Sequence, residues 1–378
     1  MEGAAEQKNL FSSKSVVALS IILFLLYAFN FYMISGITGK IAAAEQAKQP
    51  AMIEITKITK QCDGCYNVNA ALDQIRNLNI KVVKEREVDS ESQEGKELIS
   101  KYSITKLPSA IITGEIDKDN VKSSWGQMGS KYGEIIKGAF VLNKQTPPFY
   151  STERGAVVGG VKSIIIKDSG CPKCFDINSI SLQLKNYGVK FSDEKILDYS
   201  SPEAKALVAS LGITKIPAIL ISDEVTLYGN AVSFLNQLGA TTRATWHIAQ
   251  PVLPPYRDTG SGSISGLVTL VMLTDKSCTG CYDVNAHKSV LPNFFVVVGE
   301  EKTYDVSSNE GKGLVKKYGI EKVPTILISP NGKEYPHLVQ VWPQVGTVEQ
   351  DGWFVFRKVE EMKSTGAYMD LKAGKVVS

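Results

Sequence analysis

The sequence predicts an α/β protein: three tandem domains, each a central mixed sheet flanked by helices, following one N-terminal transmembrane helix. Three observations carry this prediction. Residues 15–34 form an apolar run without formal charge. All six cysteines fall in Cys-x-x-Cys pairs, Cys62/Cys65, Cys171/Cys174 and Cys278/Cys281, which recur after 109 and then 107 residues. A proline, Pro108, Pro217 or Pro324, stands 46 residues after the first cysteine of every pair. Repeats of that length are whole domains, not solenoid units.

A chain of 378 residues accommodates two or three domains. Its 43% apolar and 21% charged composition suits globular cores. With 42 basic against 39 acidic side chains the net charge is +3, too weak to point to nucleic acid. A helix of about 20 apolar residues spans the hydrocarbon layer, so 15–34 reads as a membrane anchor, with Tyr27 and Tyr32 as interfacial aromatics. A signal peptide has a shorter apolar core and a cleavage site close behind it. Here Ala42-Ala43-Ala44 lies too far downstream. Lys8 and Lys14 precede the span and Lys40 and Lys48 follow it, so flanking charge sets no orientation. The large C-terminal region and its paired cysteines favour an extracytoplasmic placement.

Within each repeat the elements follow one order. A β-prone stretch (53–56, 163–166, 268–272) precedes the cysteines. A helical pattern follows, clearest over 68–78, and then a second strand such as 80–83. Asp89, Asp198 and Asp305, each 27 residues past a first cysteine, read as strand-end or capping residues and not as acid–base groups. Second helices are predicted over 94–102, 202–211 and 310–318, the middle one opening on proline. The later proline opens a strand, and Asn331-Gly332 reads as a hairpin turn into another. The predicted order is β-α-β-α-β-β with a weakly signalled final helix. Thr146-Pro147-Pro148 and Leu253-Pro254-Pro255 read as joints between domains, each second proline lying 23 residues before the next first cysteine. The resulting boundaries are 1–14 (tail), 15–34 (span), 35–50 (linker), 51–155, 156–262 and 263–378 (domains).

At these residues the chain resembles the thioredoxin-like superfamily, which includes thioredoxins, protein disulfide isomerases and periplasmic disulfide oxidoreductases. The resemblance rests on the strand–Cys-x-x-Cys–helix unit and the X-Pro opening a later strand, three times over after about residue 50. Trp-Cys-Gly-Pro-Cys is absent. Where classical thioredoxins place a buried acid, six positions before the first cysteine, this chain has Thr56, Ile165 and Met272. An aromatic after the second cysteine (Tyr66, Phe175, Tyr282) is more similar to the periplasmic enzymes.

The resemblance implies a thiol–disulfide oxidoreductase acting on protein thiols, together with a partner redox protein. Disulfide exchange needs an attacking thiolate and a second thiol that releases the mixed disulfide. Cys62, Cys171 and Cys278 are expected as nucleophiles over a helix N-terminus, with Cys65, Cys174 and Cys281 as resolving thiols. Family likeness implies cis peptides at Leu107-Pro108, Ile216-Pro217 and Val323-Pro324, facing the cysteines and turning the preceding backbone outward for a client strand. Lys173 and Lys167 favour thiolate at the middle pair and Asp63 disfavours it at the first, so the middle site is expected to be the most oxidising. No nucleotide or metal cofactor is implied.

The competing readings are weaker on the same residues. Cysteines three apart close too small a loop to be useful staples. Each pair offers two of about four zinc ligands, and His247, His287 and His337 occupy no repeated position. The histidines, and Trp125, Trp246, Trp342 and Trp353, read as surface or core residues. Zinc or copper handling by the pairs, and a redox-sensitive chaperone binding unfolded clients, stand as alternatives.

Overall fold

The computed structural model describes residues 13–378, with side-chain surroundings for 17–35, 49–362 and 364–378. Most of the predicted 1–14 tail lies outside the described residues. The chain divides into two compact units, Met1–Val158 and Gly159–Ser378.

The first unit begins with the helix Ser13–Lys48, so the expected linker 35–50 is helical almost throughout. Val17–Ser35 is long and apolar enough to cross a membrane, and none of it is buried against the protein. Then comes a five-stranded mixed sheet in the order Ile80–Asp89, Ala51–Thr59, Ser109–Gly114, Ala139–Leu142, Gly133–Ile136. The first two strands are parallel and every other pairing is antiparallel. Ala51, Ile53 and Ile55 alternate with exposed Met52 and Glu54, as a period-two strand requires. Their buried face receives Val68, Ala71, Leu72 and Ile75, the one apolar stripe of the helix Val68–Arg76. A second core of Ile58, Val88, Tyr102 and Ile104 fills the opposite face under the helix Gln93–Lys101.

The second unit holds two more copies of this sheet, with central strands Val161–Lys167 and Leu267–Thr274. Each again has a core on either face. Parallel pairing of the strand before the cysteines with the next strand, and antiparallel pairing with the proline strand, define the thioredoxin-like fold. It occurs three times. Trp125 and Trp342 belong to these cores.

The aspartates end their strands as capping residues. Asp89, Asp198 and Asp305 accept from the backbone N–H two residues on, at 2.7, 2.8 and 2.9 Å. Their carbonyls take the hydroxyls of Ser92, Ser201 and Ser308, which in turn cap the second helices.

Three expectations are corrected. A helix (Asp119–Lys131, Gly229–Gln237, Pro336–Val345) lies between the proline strand and a closing hairpin, giving β-α-β-α-β-α-β-β. Its signal is faint because each copy buries only two residues and carries glycine or proline. Asn331-Gly332 is no hairpin: Pro330 opens a 3-10 turn, Pro330–Glu334, that leads into Pro336–Val345. The Pro-Pro segments are not joints. They run into strands Phe149–Ser151 and Tyr256–Asp258, which pair back to Lys106–Leu107 and Lys215–Ile216. Ala156–Val158 and Ile264–Ser265 complete these small sheets, so the first two repeats extend past 155 and 262. In the third repeat Tyr368–Asp370 and Lys375–Val377 do the same.

Candidate functional site

Each cysteine pair is closed as a disulfide within its own loop: Cys62–Cys65, Cys171–Cys174 and Cys278–Cys281, with Cα separations of 5.6, 5.3 and 5.5 Å. The loops are turns and not the first turn of a helix. The cause lies in the aromatic after the second cysteine. Its N–H leaves the local chain and donates to a distant carbonyl: Tyr66 to Pro148 O (2.8 Å), Phe175 to Pro255 O (3.0 Å), Tyr282 to Ala367 O (2.8 Å). Helical bonding starts afterwards, where Asn67, Asp176 and Asp283 accept from the N–H two residues on. The expectation that a helix end directly caps the first sulfur is therefore corrected. In the later repeats the first cysteine is also the more enclosed: Cys171 is 4% and Cys278 9% exposed, while Cys174 and Cys281 are half-buried. That runs against free access to the first sulfur.

Leu107-Pro108, Ile216-Pro217 and Val323-Pro324 are cis, as are Pro147-Pro148 and Pro254-Pro255. In the middle repeat Cys171, Cys174 and Pro217 line one cavity of about 230 Å³, so sulfurs and proline share a surface. In the third, Tyr282 Oη donates to Pro324 O. In the first, Gln145 Nε2 donates to Pro108 O at 3.0 Å.

The residues before these prolines are not free for a client strand. Leu107 pairs with Tyr150, Ile216 with Arg257 and Val323 with Met369, and all three side chains are buried. The edge is taken by the strand that follows the backing carbonyl in the same repeat.

Sequence reasoning missed the charge pair at the middle site. Asp168, three residues before Cys171, has a carboxylate oxygen within 4.8 Å of both sulfurs. Its side chain is 6% exposed and takes the Arg257 Nε at 2.7 Å. Arg257 also donates to Gly262 O at 2.7 Å, which holds it in place. The signal was Asp168 itself, since the first repeat has Thr59 there; the third has Asp275, turned to Ser277. Lys173, counted as a local cation, instead sends Nζ to Val298 O at 2.7 Å. Asp168, Cys171 and Cys174 form the one three-ligand metal-type cluster among the described residues, available to a cation only with the disulfide reduced.

Neighbouring ionisable groups are shifted for identifiable reasons. Asp198 is held well below the usual carboxylate range, first by Ser200 and then by Ser169. Asp305 is lowered likewise, by Ser307 and by the Lys276 N–H. Both thereby tie the cysteine loop to the strand end. Burial pushes the Tyr282 phenol up and the His287 imidazole down to about 4. His287 belongs to the third core. His247 contacts Asp223 at 3.1 Å and His337 is exposed.

Three Cys-x-x-Cys disulfide loops and three cis-prolines on three copies of this sheet define a tandem thioredoxin-like protein. No family model and no curated protein matches the chain. Among solved structures it is similar to ERdj5 (form II), at 10% identity and TM-score 0.15, covering 76% of this chain and 39% of that one. It is also similar to human ERp44, at 9% identity and TM-score 0.15, covering 85% and 96%. The chain thus spans well under half of ERdj5. The fold assignment rests on sheet order and on the cysteine–proline arrangement, not on these likenesses.

Proposed function

We propose that the protein is a membrane-anchored thiol–disulfide oxidoreductase that exchanges disulfides with protein thiols. The observation that carries this reading is the middle site, where Cys171, Cys174 and Pro217 line one open cavity. As an oxidant, the disulfide is attacked by a client thiolate. One client–protein disulfide forms and one protein thiolate leaves. A second client thiolate then displaces the other protein sulfur. Two electrons pass from client to pair, and the client closes its disulfide. A partner dithiol or disulfide protein resets the pair by the reverse exchange. Pro108, Pro217 and Pro324 serve as the wall against which client sulfur docks, and Leu107, Ile216 and Val323 hold that wall through their paired backbone. Residues 15–34 anchor the chain, with the three repeats extracytoplasmic.

The test is turnover in insulin reduction and in oxidative refolding. The full chain should catalyse at least one of them, and a variant with all six cysteines replaced by serine should catalyse neither. Equal rates for both proteins would end the reading. Labelling the repeats in sealed vesicles tests the placement, and reagent access only from the cytosolic face would reverse it.

A further inference from the structure

In the third repeat the segment after the cysteine loop is not an α-helix. Where the others have Val68–Arg76 and Asn178–Asn186, it runs as two 3-10 turns, Val284–Ser289 and Leu291–Phe294. Pro292 accounts for the break, having no N–H to return to the preceding turn. Facing it is the helix Pro336–Val345, which carries Pro343 in its last turn. The wall broken into two 3-10 turns leaves a gap against this helix. It is a cavity of about 200 Å³, lined among others by His287, Leu291, Phe294, Ile326, Leu338 and Trp342. A cavity of about 150 Å³ lined by Leu, Ile and Phe alone takes up benzene.

His287 supplies the buried polar edge, at 5% exposure. Tyr282 Oη spends its proton on Pro324 O, so the 3.0 Å contact between that oxygen and His287 Nε2 has the imidazole as donor. Nδ1 is then the acceptor nitrogen, and it has no partner among the described residues. Burial keeps the ring neutral at physiological pH. The lining carries no carboxylate, lysine or arginine among the described residues, so a charged occupant would go uncompensated.

We propose that this cavity binds one small, neutral, ring-sized apolar molecule whose single hydroxyl or N–H donates to His287 Nδ1. Such a ligand would sit two hydrogen bonds from Tyr282, the residue after Cys281, and three from Pro324.

Phenol and toluene are matched probes, alike in size and differing in the donor. Each is titrated into the full-length oxidised chain at neutral pH by calorimetry and tryptophan fluorescence. Wild type should bind both saturably, one to one. His287→Phe should weaken phenol about tenfold, the worth of one hydrogen bond, and leave toluene nearly unchanged. Val341→Trp, which fills the gap from the Pro336–Val345 side, should abolish both. Three results overturn the proposal: no saturable binding of either probe by wild type, phenol affinity untouched in His287→Phe, or saturation only by an aromatic-rich client peptide. Should Val341→Trp fail to fold, the wild-type and His287→Phe titrations still decide.

Discussion

Replacing Asp168 with asparagine removes a buried negative charge beside the middle sulfurs while leaving Arg257 in place. The carboxylate lies within 4.8 Å of both sulfurs. At an effective dielectric of about 20, a thiolate at that distance is disfavoured by about 3.5 kcal/mol. Arg257, 2.7 Å from the carboxylate, already cancels part of this field. About half, or roughly 2 kcal/mol, is a fair expectation for the net change. For a two-electron couple that corresponds to a rise of about 40 mV in reduction potential. The reduced, thiolate-bearing form gains. The reciprocal change, Arg257→Gln, leaves the carboxylate without its cation and should lower the potential, with a folding penalty. The assay uses the full chain with Cys62, Cys65, Cys278 and Cys281 replaced by serine, equilibrated in glutathione buffers and alkylated. An unchanged or lower potential in Asp168→Asn, or a shift of the same sign in both variants, would refute the electrostatic reasoning.

Stability should depend on pH through His287. Its folded pKa, about 4, lies below the unfolded value of about 6.5, so the unfolded chain binds the extra proton first as pH falls. The third repeat should therefore lose about 3 kcal/mol between pH 6.5 and 4, and denaturant titrations of His287→Phe should lack that slope. Tyr335 Oη donates to Gly266 O at 2.5 Å and Tyr228 Oη to Gly159 O at 2.7 Å, both buried. Phenylalanine at either position should cost about 1–3 kcal/mol, read as a lower urea midpoint with unchanged slope. Alanine at the helix-capping Ser201 or Ser308 should cost about 1 kcal/mol by the same measurement. Leu25→Arg places a charge mid-way along the apolar helix and should cost about 3 kcal/mol of insertion, seen as loss from the membrane fraction.

The cysteine and proline spacing made the three repeats legible, because each pair follows the central strand and each proline opens the strand paired antiparallel to it, so the elements between them keep a constant length. The strands around Ile53, Ile165 and Leu270 were legible from their apolar pattern, and the middle second helix from the proline at its start. What stayed hidden has a common physical cause: contacts made far along the chain. Pro148 and Pro255 looked like punctuation because nothing local announces that their carbonyls serve Tyr66 and Phe175. Leu107, Ile216 and Val323 looked available because pairing with a later hairpin leaves no trace in their own neighbourhood. Arg257 meets Asp168 across 89 residues. Lys173 was misread for the same reason, its partner lying on a strand of the next repeat. Helix Pro336–Val345 was masked by its own prolines.

The carbonyl that receives the N–H of each aromatic after a cysteine pair comes from the closing stretch of the same repeat: Pro148, Pro255 and Ala367. During synthesis each pair of sulfurs leaves the ribosome well ahead of the stretch that braces it. An unfinished repeat therefore presents its cysteines on an unbraced loop, open to chance oxidation with neighbours. Maturation would proceed copy by copy from the N-terminus, each loop becoming a defined reactive surface only when its own last strand arrives.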